Sequence, residues 1–415
     1  MRTVLISGAS VAGLSLAYWL RRHGFQPTLV ERAGAVRSGG QAVDIRGTAR
    51  EVVTRMGILD TIRAHHTGTH GFAFLNGRGE RVAAMGNTDF GDSGGIVAEI
   101  EILRGDLVRI LHEAAGTDVE ILYDNVITRI DEGAGNVRVS FDKAPPRSFD
   151  LVVGADGVRS GVRALTFGQD QELVRDRGYY LSYFPARTEL DLDGWELMYN
   201  LPAGNGVGGR VALLYPLGDT GQVRVLLGFV APDLGYDRRD LPAQKQLLAE
   251  VFAGAGWEIP ALIDQLRHTD DLYFAREGTV RVDHWYRGRT VLLGDAAFGG
   301  SLGMGTSMAL VGAYVLAGEL AAAGGDHRIA FAEYDKEMRD YVTRNRKRAA
   351  SSASGFAPRT RRGIWMRNQL MRLLPHLPGA SKMMSGIHKA ANSITLKPYP
   401  VLAPTPDRSE SDQPT

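Results

Sequence analysis

Met1–Arg32 reads MRTVLISGASVAGLSLAYWLRRHGFQPTLVER. The apolar run Thr3–Ser7 predicts a strand, Gly8-Ala9-Ser10-Val11-Ala12-Gly13 a tight turn, and the stretch to Gly24 a helix. Pro27–Val30 then reads as a second strand closed by Glu31. One βαβ unit ending in an acid is the layout of an adenine-dinucleotide site. Gly8 permits the sharp turn and Gly13 lets the helix pack close to the strand. The helix start, from Ser10 through Val11 and Ala12, offers unpaired N–H groups and a positive dipole end to a pyrophosphate. Glu31, 18 residues beyond Gly13, stands where a carboxylate accepts hydrogen bonds from ribose hydroxyls. The middle glycine of the G-x-G-x-x-G pattern is replaced by Ser10. Two other readings stay open on the residues alone. One is a nucleophile elbow, because Gly8-x-Ser10-x-Ala12 approximates G-x-S-x-G; the other is a βα turn that holds no ligand.

The 415-residue chain, 44% apolar, has room for two or three domains. Lys and Arg number 48 against 47 Asp and Glu, so net charge makes no case for nucleic acid. With no cysteine, disulfides, thiolate metal ligands and a cysteine nucleophile are excluded, which suits a reducing compartment; a cytoplasmic protein, monomeric or homodimeric, is expected. Ser7, Gly8, Ser10 and Gly13 interrupt the N-terminal apolar run and no small-residue cleavage site follows, so it is not read as a signal peptide. Thr306–Ala323 is the most membrane-like segment. It carries Glu319 and is barely long enough to span, which predicts a buried helix and no membrane association.

Beyond Glu31 comes a glycine-rich passage, Ser38–Gly47, then a helix predicted from Thr48 to about His65. Gly71–Met85 reads as a hairpin turning at Asn76-Gly77-Arg78-Gly79. A helix is expected from about Arg104 to Ala115, followed by strand-like runs at 119–122, 126–130, 137–141 and 151–153. Between about Gly168 and Phe274 the runs YYLSYF, WELMYNL, RVALLYPL and VRVLLGFV predict an antiparallel sheet, a different architecture from the βαβ start. A helix near Ala243–Ala253 follows them, and Thr290–Leu293 returns to the first architecture. From Lys336 to Lys397 there are 14 Lys/Arg against Glu337 and Asp340, read as solvated helix faces, with a polyanion contact as the alternative. The only literal G-x-G-x-x-G, Gly204–Gly209, has no helix after it and reads as a hairpin loop. His65, His66 and His70 lack a nearby carboxylate partner, and no metal site is predicted.

Two further segments place a carboxylate at a strand end: Leu151-Val152-Val153-Gly154-Ala155-Asp156-Gly157, running on to Arg163, and Leu292-Leu293-Gly294-Asp295-Ala296-Ala297, followed by Gly303-Met304-Gly305-Thr306. One strand-end aspartate is often a helix cap. Two, in this order behind a dinucleotide turn, resemble the DG and GD motifs of the class A flavoprotein monooxygenases, the para-hydroxybenzoate hydroxylase-like group. Within them the chain is most similar to actinobacterial enzymes near the tetracycline-inactivating and polyketide hydroxylases. The resemblance covers roughly residues 1–345 and runs through Gly40–Asp44 and Ile102–Leu107.

The resemblance implies an α/β fold: a discontinuous Rossmann-like FAD-binding domain (1–70, 97–167, 275–343) with an antiparallel substrate-binding sheet (71–96, 168–274). A helical C-terminal region (344–403) and a disordered tail (404–415) complete it. It implies FAD held by Gly8, Ser10, Val11, Ala12, Gly13, Glu31, Arg32, Asp44, Arg104, Val126, Asp156, Gly294, Asp295, Gly303, Gly305 and Thr306. Glu31 would hold the adenosine ribose, Arg104 and Asp295 the pyrophosphate and ribityl chain, and Asp44 would lie by the flavin. NAD(P)H would bind transiently, without a domain of its own. The implied reaction is hydroxylation of an aromatic or polyketide-like molecule by O2 through a flavin C4a-hydroperoxide, with no obligatory acid–base side chain. Tyr183, Met198, Tyr215, Phe229 and Phe298 are the candidate substrate contacts. Two features depart from the family: Phe298 follows Gly294–Ala297 directly, and the loop to Gly303 lacks proline and is about two residues short. A glycine-rich loop holding the same backbone position is expected. A protein that keeps the fold but has altered or lost oxygen transfer, as a cyclase, isomerase, epoxidase or Baeyer–Villiger variant, is the alternative.

Overall fold

A computed structural model describes residues 2–35, 40–87, 89, 98, 100–116, 118–217, 221–301, 303–377 and 380–400. Ser38-Gly39 of the glycine-rich passage, Leu302 and the tail from 401 lie outside the described residues. Two sheets carry most of the fold. The first has six strands in the order Tyr286–Arg287, Thr290–Leu292, Leu151–Gly154, Thr3–Ser7, Gln26–Glu31 and Glu120–Tyr123. All its pairs are parallel except the edge pair Tyr286–Arg287 with Thr290–Leu292. Val4, Leu5 and Ile6 have no exposed surface: helices and the small sheet of Ile127–Glu132, Val137–Phe141 and Arg147–Phe149 share one core with them, and a parallel sheet buried on both faces has strands that read as unbroken apolar runs.

Register sets the position of everything functional. Ser7 pairs with Val30 on one side and Gly154 on the other, and Gly154 pairs with Leu292. The chain therefore leaves three adjacent parallel strands on one rung, at Gly8, Ala155 and Leu293, with Glu31 on the fourth. In open α/β sheets ligands bind at such carboxyl ends.

The helix Val11–Arg22 lies on this sheet and is buried from Val11 through Leu20. Against it packs Gly305–Ala322, whose residues are apolar all round; a helix without a polar face has to be enclosed. Its length and composition also suit a membrane span, but 78% of it is buried within the protein. The predicted helix 48–65 is two helices, Thr48–Arg55 and Leu59–Ala64. Gly57, at φ +74°, takes a left-handed conformation that ends the first.

The second sheet has seven strands: Tyr273–Val280, Val174–Arg187, Gln222–Val230, Arg210–Pro216, Trp195–Leu201, Gly71–Leu75 and Arg81–Gly86. It is antiparallel except where Trp195–Leu201 meets Gly71–Leu75 in parallel. The strand Tyr273–Val280 belongs here, so the return to the first sheet comes after Val280, not at 275. Gly204–Gly209 closes the antiparallel pair Trp195–Leu201 and Arg210–Pro216, the loop its context predicts. Side-chain alternation splits the sheet into two apolar faces. Tyr180, Phe184, Phe229 and Phe274 face the helices Leu241–Val251 and Ile259–His268. Phe74, Leu181, Met198, Leu213 and Leu226 face the other way, with Leu374 and Met371 of the C-terminal region packed on them.

Candidate active site

The three motifs touch one another through positions where only glycine fits. Gly8 sits at φ +105°, and a Cβ on it would stand 2.6 Å from the carbonyl oxygen of Ala155. A Cβ on Gly13 would stand 1.9 Å from the Gly8 carbonyl oxygen, and one on Gly294 3.0 Å from the Cβ of Ala12. The first turn, the DG segment and the GD segment thus pack as one backbone cradle. Ser10 adopts an extended conformation and its hydroxyl makes no cap. Leu14 N donates to Ser10 O, leaving the N–H groups of Val11, Ala12 and Gly13 without an intrahelical acceptor. A nucleophile elbow would put the positive φ at the serine; here it falls on Gly8.

Glu31 accepts from Ala9 N and Ala33 N, both at 2.9 Å, which fixes its carboxylate at the mouth of the turn. Arg32 beside it is exposed. The chain leading to Val126 runs alongside, with Asn125 N bonded to Glu31 O at 3.1 Å. Arg104 opens the helix Arg104–Ala115 and passes Gly40, where a Cβ would stand 3.1 Å from its Nε. Asp44 pairs with Arg46 at 2.9 Å, and Ser307 bridges that segment to the long helix by accepting from Arg46 N at 3.0 Å and donating to Asp44 O at 3.1 Å. At the same helix N-terminus a Cβ on Gly305 would stand 3.5 Å from Asp295 Oδ1. Gly303, at φ +76°, and Thr306 complete this corner.

Asp295 is exposed by surface yet enclosed by protein mass, and that enclosure pushes its carboxyl above the usual range against the opposing charges of Arg346 and Arg104. Only a group on the wall of a deep cleft combines the two. Asp156 is placed differently. It accepts from Ser160 Oγ at 2.5 Å, Gly161 N at 2.8 Å and Val162 N at 3.2 Å. Its carboxylate caps the helix Gly161–Thr166.

A family model described as an FAD binding domain matches residues 1–349. A flavin-dependent monooxygenase of Legionella longbeachae is 32% identical over 401 residues, covering 95% of this chain and 98% of that protein. An uncharacterized protein of Mycobacterium tuberculosis, Rv1260, is 40% identical over 362 residues, 86% of this chain and 95% of that protein. The crystal structure of tetracycline destructase Tet(51) superposes at a TM-score of 0.81 and 30% identity, over 96% of this chain and 100% of that one. The chain belongs to the class A flavoprotein monooxygenases. It is an FAD-dependent oxidoreductase, and the cradle fits that cofactor: orphan N–H groups stand at a helix start, a glycine floor lets a pyrophosphate approach, and a carboxylate, Glu31, is held beside the turn.

Four tyrosines of the second sheet lead away from Asp295. Tyr273 keeps 44% of its surface accessible, yet burial raises its hydroxyl pKa, as do the charges of Glu277 and Asp295. Tyr179 is pushed up to about 12 for the same first reason. Tyr183 and Tyr215, half-buried, are raised first by burial, then by Glu277 and Tyr273 at Tyr183 and by Tyr183 and Glu196 at Tyr215. Glu277, on the strand Tyr273–Val280, is pushed up to about 7 by burial and by Asp295, with Arg177 opposing. Nothing in its sequence context, Arg276-Glu277-Gly278, marks it; burial by strands distant in sequence does. Farther in, Glu101 and Glu196 are 7% and 4% exposed and hydrogen-bond to each other, so one of them carries a proton; both are raised, burial first. Thr67 and Thr69 donate to Glu101 Oε2 at 2.6 and 2.8 Å.

Two expected substrate contacts are corrected. Phe229 lies on the outer face, stacked 5.0 Å from Tyr180. Phe298 has no exposed surface and packs edge-on against Trp285 at 5.1 Å. Met198 shares the inner face with Tyr183 and Tyr215 but is 3% exposed, and Arg367 Nη1 approaches its sulfur at 3.7 Å. The short loop after Phe298 is held from several sides. Val280 N donates to Gly299 O at 3.1 Å, Arg346 Nη2 to the same oxygen at 3.0 Å, and Arg177 Nη1 to Gly300 O at 2.6 Å. The three histidines each meet a different backbone group: His65 Thr61 O, His66 Gly68 N and His70 Asp193 O.

Proposed function

We propose that this enzyme hydroxylates an aromatic, polycyclic, polyketide-like small molecule, with NAD(P)H as electron donor and molecular oxygen as oxidant. The tyrosine-lined cleft carries the reading. Tyr179, Tyr183, Tyr215 and Tyr273 offer phenol rings to stack on a planar substrate and hydroxyls to bond its oxygens, in a recess that begins at Asp295. The likeness to a tetracycline destructase supports a fused-ring substrate.

When bound, FAD supplies the redox chemistry, taking electrons from NAD(P)H and activating O2. The overall balance is substrate–H + O2 + NAD(P)H + H+ giving substrate–OH + H2O + NAD(P)+. The chain's own residues position and screen. The N-terminus of Gly305–Ala322 directs its dipole into the corner shared with Asp295, favouring negative charge there. Arg177 and Arg346 keep the glycine loop in place. Glu277 holds a proton in the cleft near neutral pH, and the tyrosine hydroxyls stay protonated so that they can donate.

The test is NAD(P)H oxidation in air over a panel of phenolic polycycles, with labelled dioxygen. One labelled oxygen atom in the product supports the reading. A yellow protein that oxidises no NAD(P)H with any of them overturns it in favour of a fold that has lost oxygen transfer.

A further inference from the structure

The helix Arg361–Leu373 presents two unlike faces. Inward, Arg367 Nη2 donates to Asn200 Oδ1 at 2.5 Å and Asn368 Nδ2 to Leu75 O at 3.3 Å, fixing the helix on the inner side of the second sheet. Outward, Trp365, Met366, Leu370 and Leu373 are 63%, 64%, 47% and 55% exposed, and Leu377 beyond the helix is 46% exposed. At 3.6 residues per turn the four helical ones fall within one arc of about 140°. Single exposed apolar residues are ordinary, but five on one short segment are not. Arg361, Arg362 and Arg372 lie on the same exposed arc, and none has an acidic partner among the described residues.

Beside this face is a surface pocket of about 570 Å³, lined by Arg81, Val82, Ala83, Ala84, Asp89, Arg372, Pro375 and His376. Arg372 and His376 bring a guanidinium and an imidazole to its wall, whereas the Arg81 guanidinium donates to Leu192 O at 3.0 Å and lies over the Trp195 ring. Asp89 is the one acid among the described residues of its lining, and its carboxylate accepts from Gly86 N at 2.7 Å.

We propose that this face seats on the surface of a bilayer containing anionic phospholipid, its apolar side chains entering the acyl boundary and its arginines meeting the headgroups. An apolar stripe with a tryptophan, rimmed by arginines, is the make-up of a helix that lies in the interfacial plane. Charge decides against a second copy of this chain as the occupant. A two-fold contact through this face is self-complementary and brings the same arginines close to their equivalents, whereas a negative leaflet neutralises them. Of the 14 Lys/Arg across 336–397, Lys336, Arg339, Arg344 and Lys397 pair with carboxylates and Arg346 and Arg367 bond inward, so the match rests on the arginines of this helix face. The sequence alone reads those charges as solvated; the apolar residues between them change that.

The test is flotation of the FAD-loaded full chain with vesicles of equal parts phosphatidylglycerol and phosphatidylcholine, beside vesicles of phosphatidylcholine alone. Binding is expected to the anionic vesicles only, falling with added salt, and by about fivefold for each of Arg361→Gln, Arg362→Gln and Arg372→Gln. Leu373→Glu removes it while flavin absorbance and melting temperature stay those of the wild type. Three results overturn the proposal: no flotation of the wild type, flotation unchanged by Leu373→Glu, or a soluble dimer dispersed by Leu373→Glu with no vesicle binding.

Discussion

Arg163 Nη1 donates to the carbonyl oxygen of Ala296 at 2.9 Å, joining two strand-end motifs 133 residues apart. The same guanidinium reaches Val158 O and Asp170 Oδ1, both at 2.5 Å, and the side chain has no exposed surface. Arg163 thus clamps the DG segment to the GD segment behind the cofactor cradle. Arg163→Met keeps the volume and leaves these acceptors unpaired in the interior. A loss of about 3–5 kcal/mol in denaturant unfolding is expected, together with weaker FAD retention on gel filtration. Unchanged stability would show that the clamp is dispensable.

The cradle itself has no room for a methyl group. Gly13→Ala places a Cβ 1.9 Å from Gly8 O, and the helix must retreat from the strand. Overpacking of this kind costs about 1–3 kcal/mol, and the displaced N–H groups of Val11 and Ala12 lose their aim. The expected variant is folded and colourless. Asp295→Ala should also lower FAD occupancy and turnover, with little change in melting temperature, because Asp295 stands on a cleft wall. A fully yellow, active Asp295→Ala enzyme would move the pyrophosphate and ribityl assignment elsewhere.

What was legible in the sequence was local. Gly8, Gly13 and Gly294 announce themselves because a turn or a close approach admits no other residue, and Glu31 and Asp295 follow at strand ends. Asp156 looked the same on paper, and only the positions of Ser160, Gly161 and Val162 show it to be a cap. Glu277 was illegible for the opposite reason. Its environment is made by Tyr179, Asp295 and Arg177, none of them near it in sequence. Phe229 fell between: alternation allows half of a sheet's aromatics to face the ligand, but the half is set by which side the helices Leu241–Val251 and Ile259–His268 cover.

Glu277 gives a pH signature of its own. Its carboxyl is raised from 4.5 to about 7 in the folded protein, so between those values the native state holds a proton that the unfolded chain has released. Stability therefore falls as pH rises through that window. Glu277→Gln, a permanent mimic of the protonated form, should flatten that part of the stability curve and remove an inflection near pH 7 from kcat/KM. A curve as steep in the variant as in the wild type would assign the slope to another group, Glu101 and Glu196 first.

The two faces of the second sheet separate packing from recognition. Phe229, 1% exposed and stacked between Tyr180 and Phe274, should cost about 3–5 kcal/mol when cut to alanine. KM for the substrate should not move in the fraction that remains folded. Tyr215, half-buried on the inner face, should behave in the reverse way. Tyr215→Phe removes one hydroxyl from the cleft and leaves the ring, so melting temperature should hold within a few degrees. KM should rise about tenfold if that hydroxyl bonds a substrate oxygen, since a bond of about 1–1.5 kcal/mol is lost from the complex. Steady-state kinetics and thermal melts on both variants decide it. If Phe229→Ala alters KM while Tyr215→Phe does not, the ligand lies on the outer face, beneath the helices that cover it.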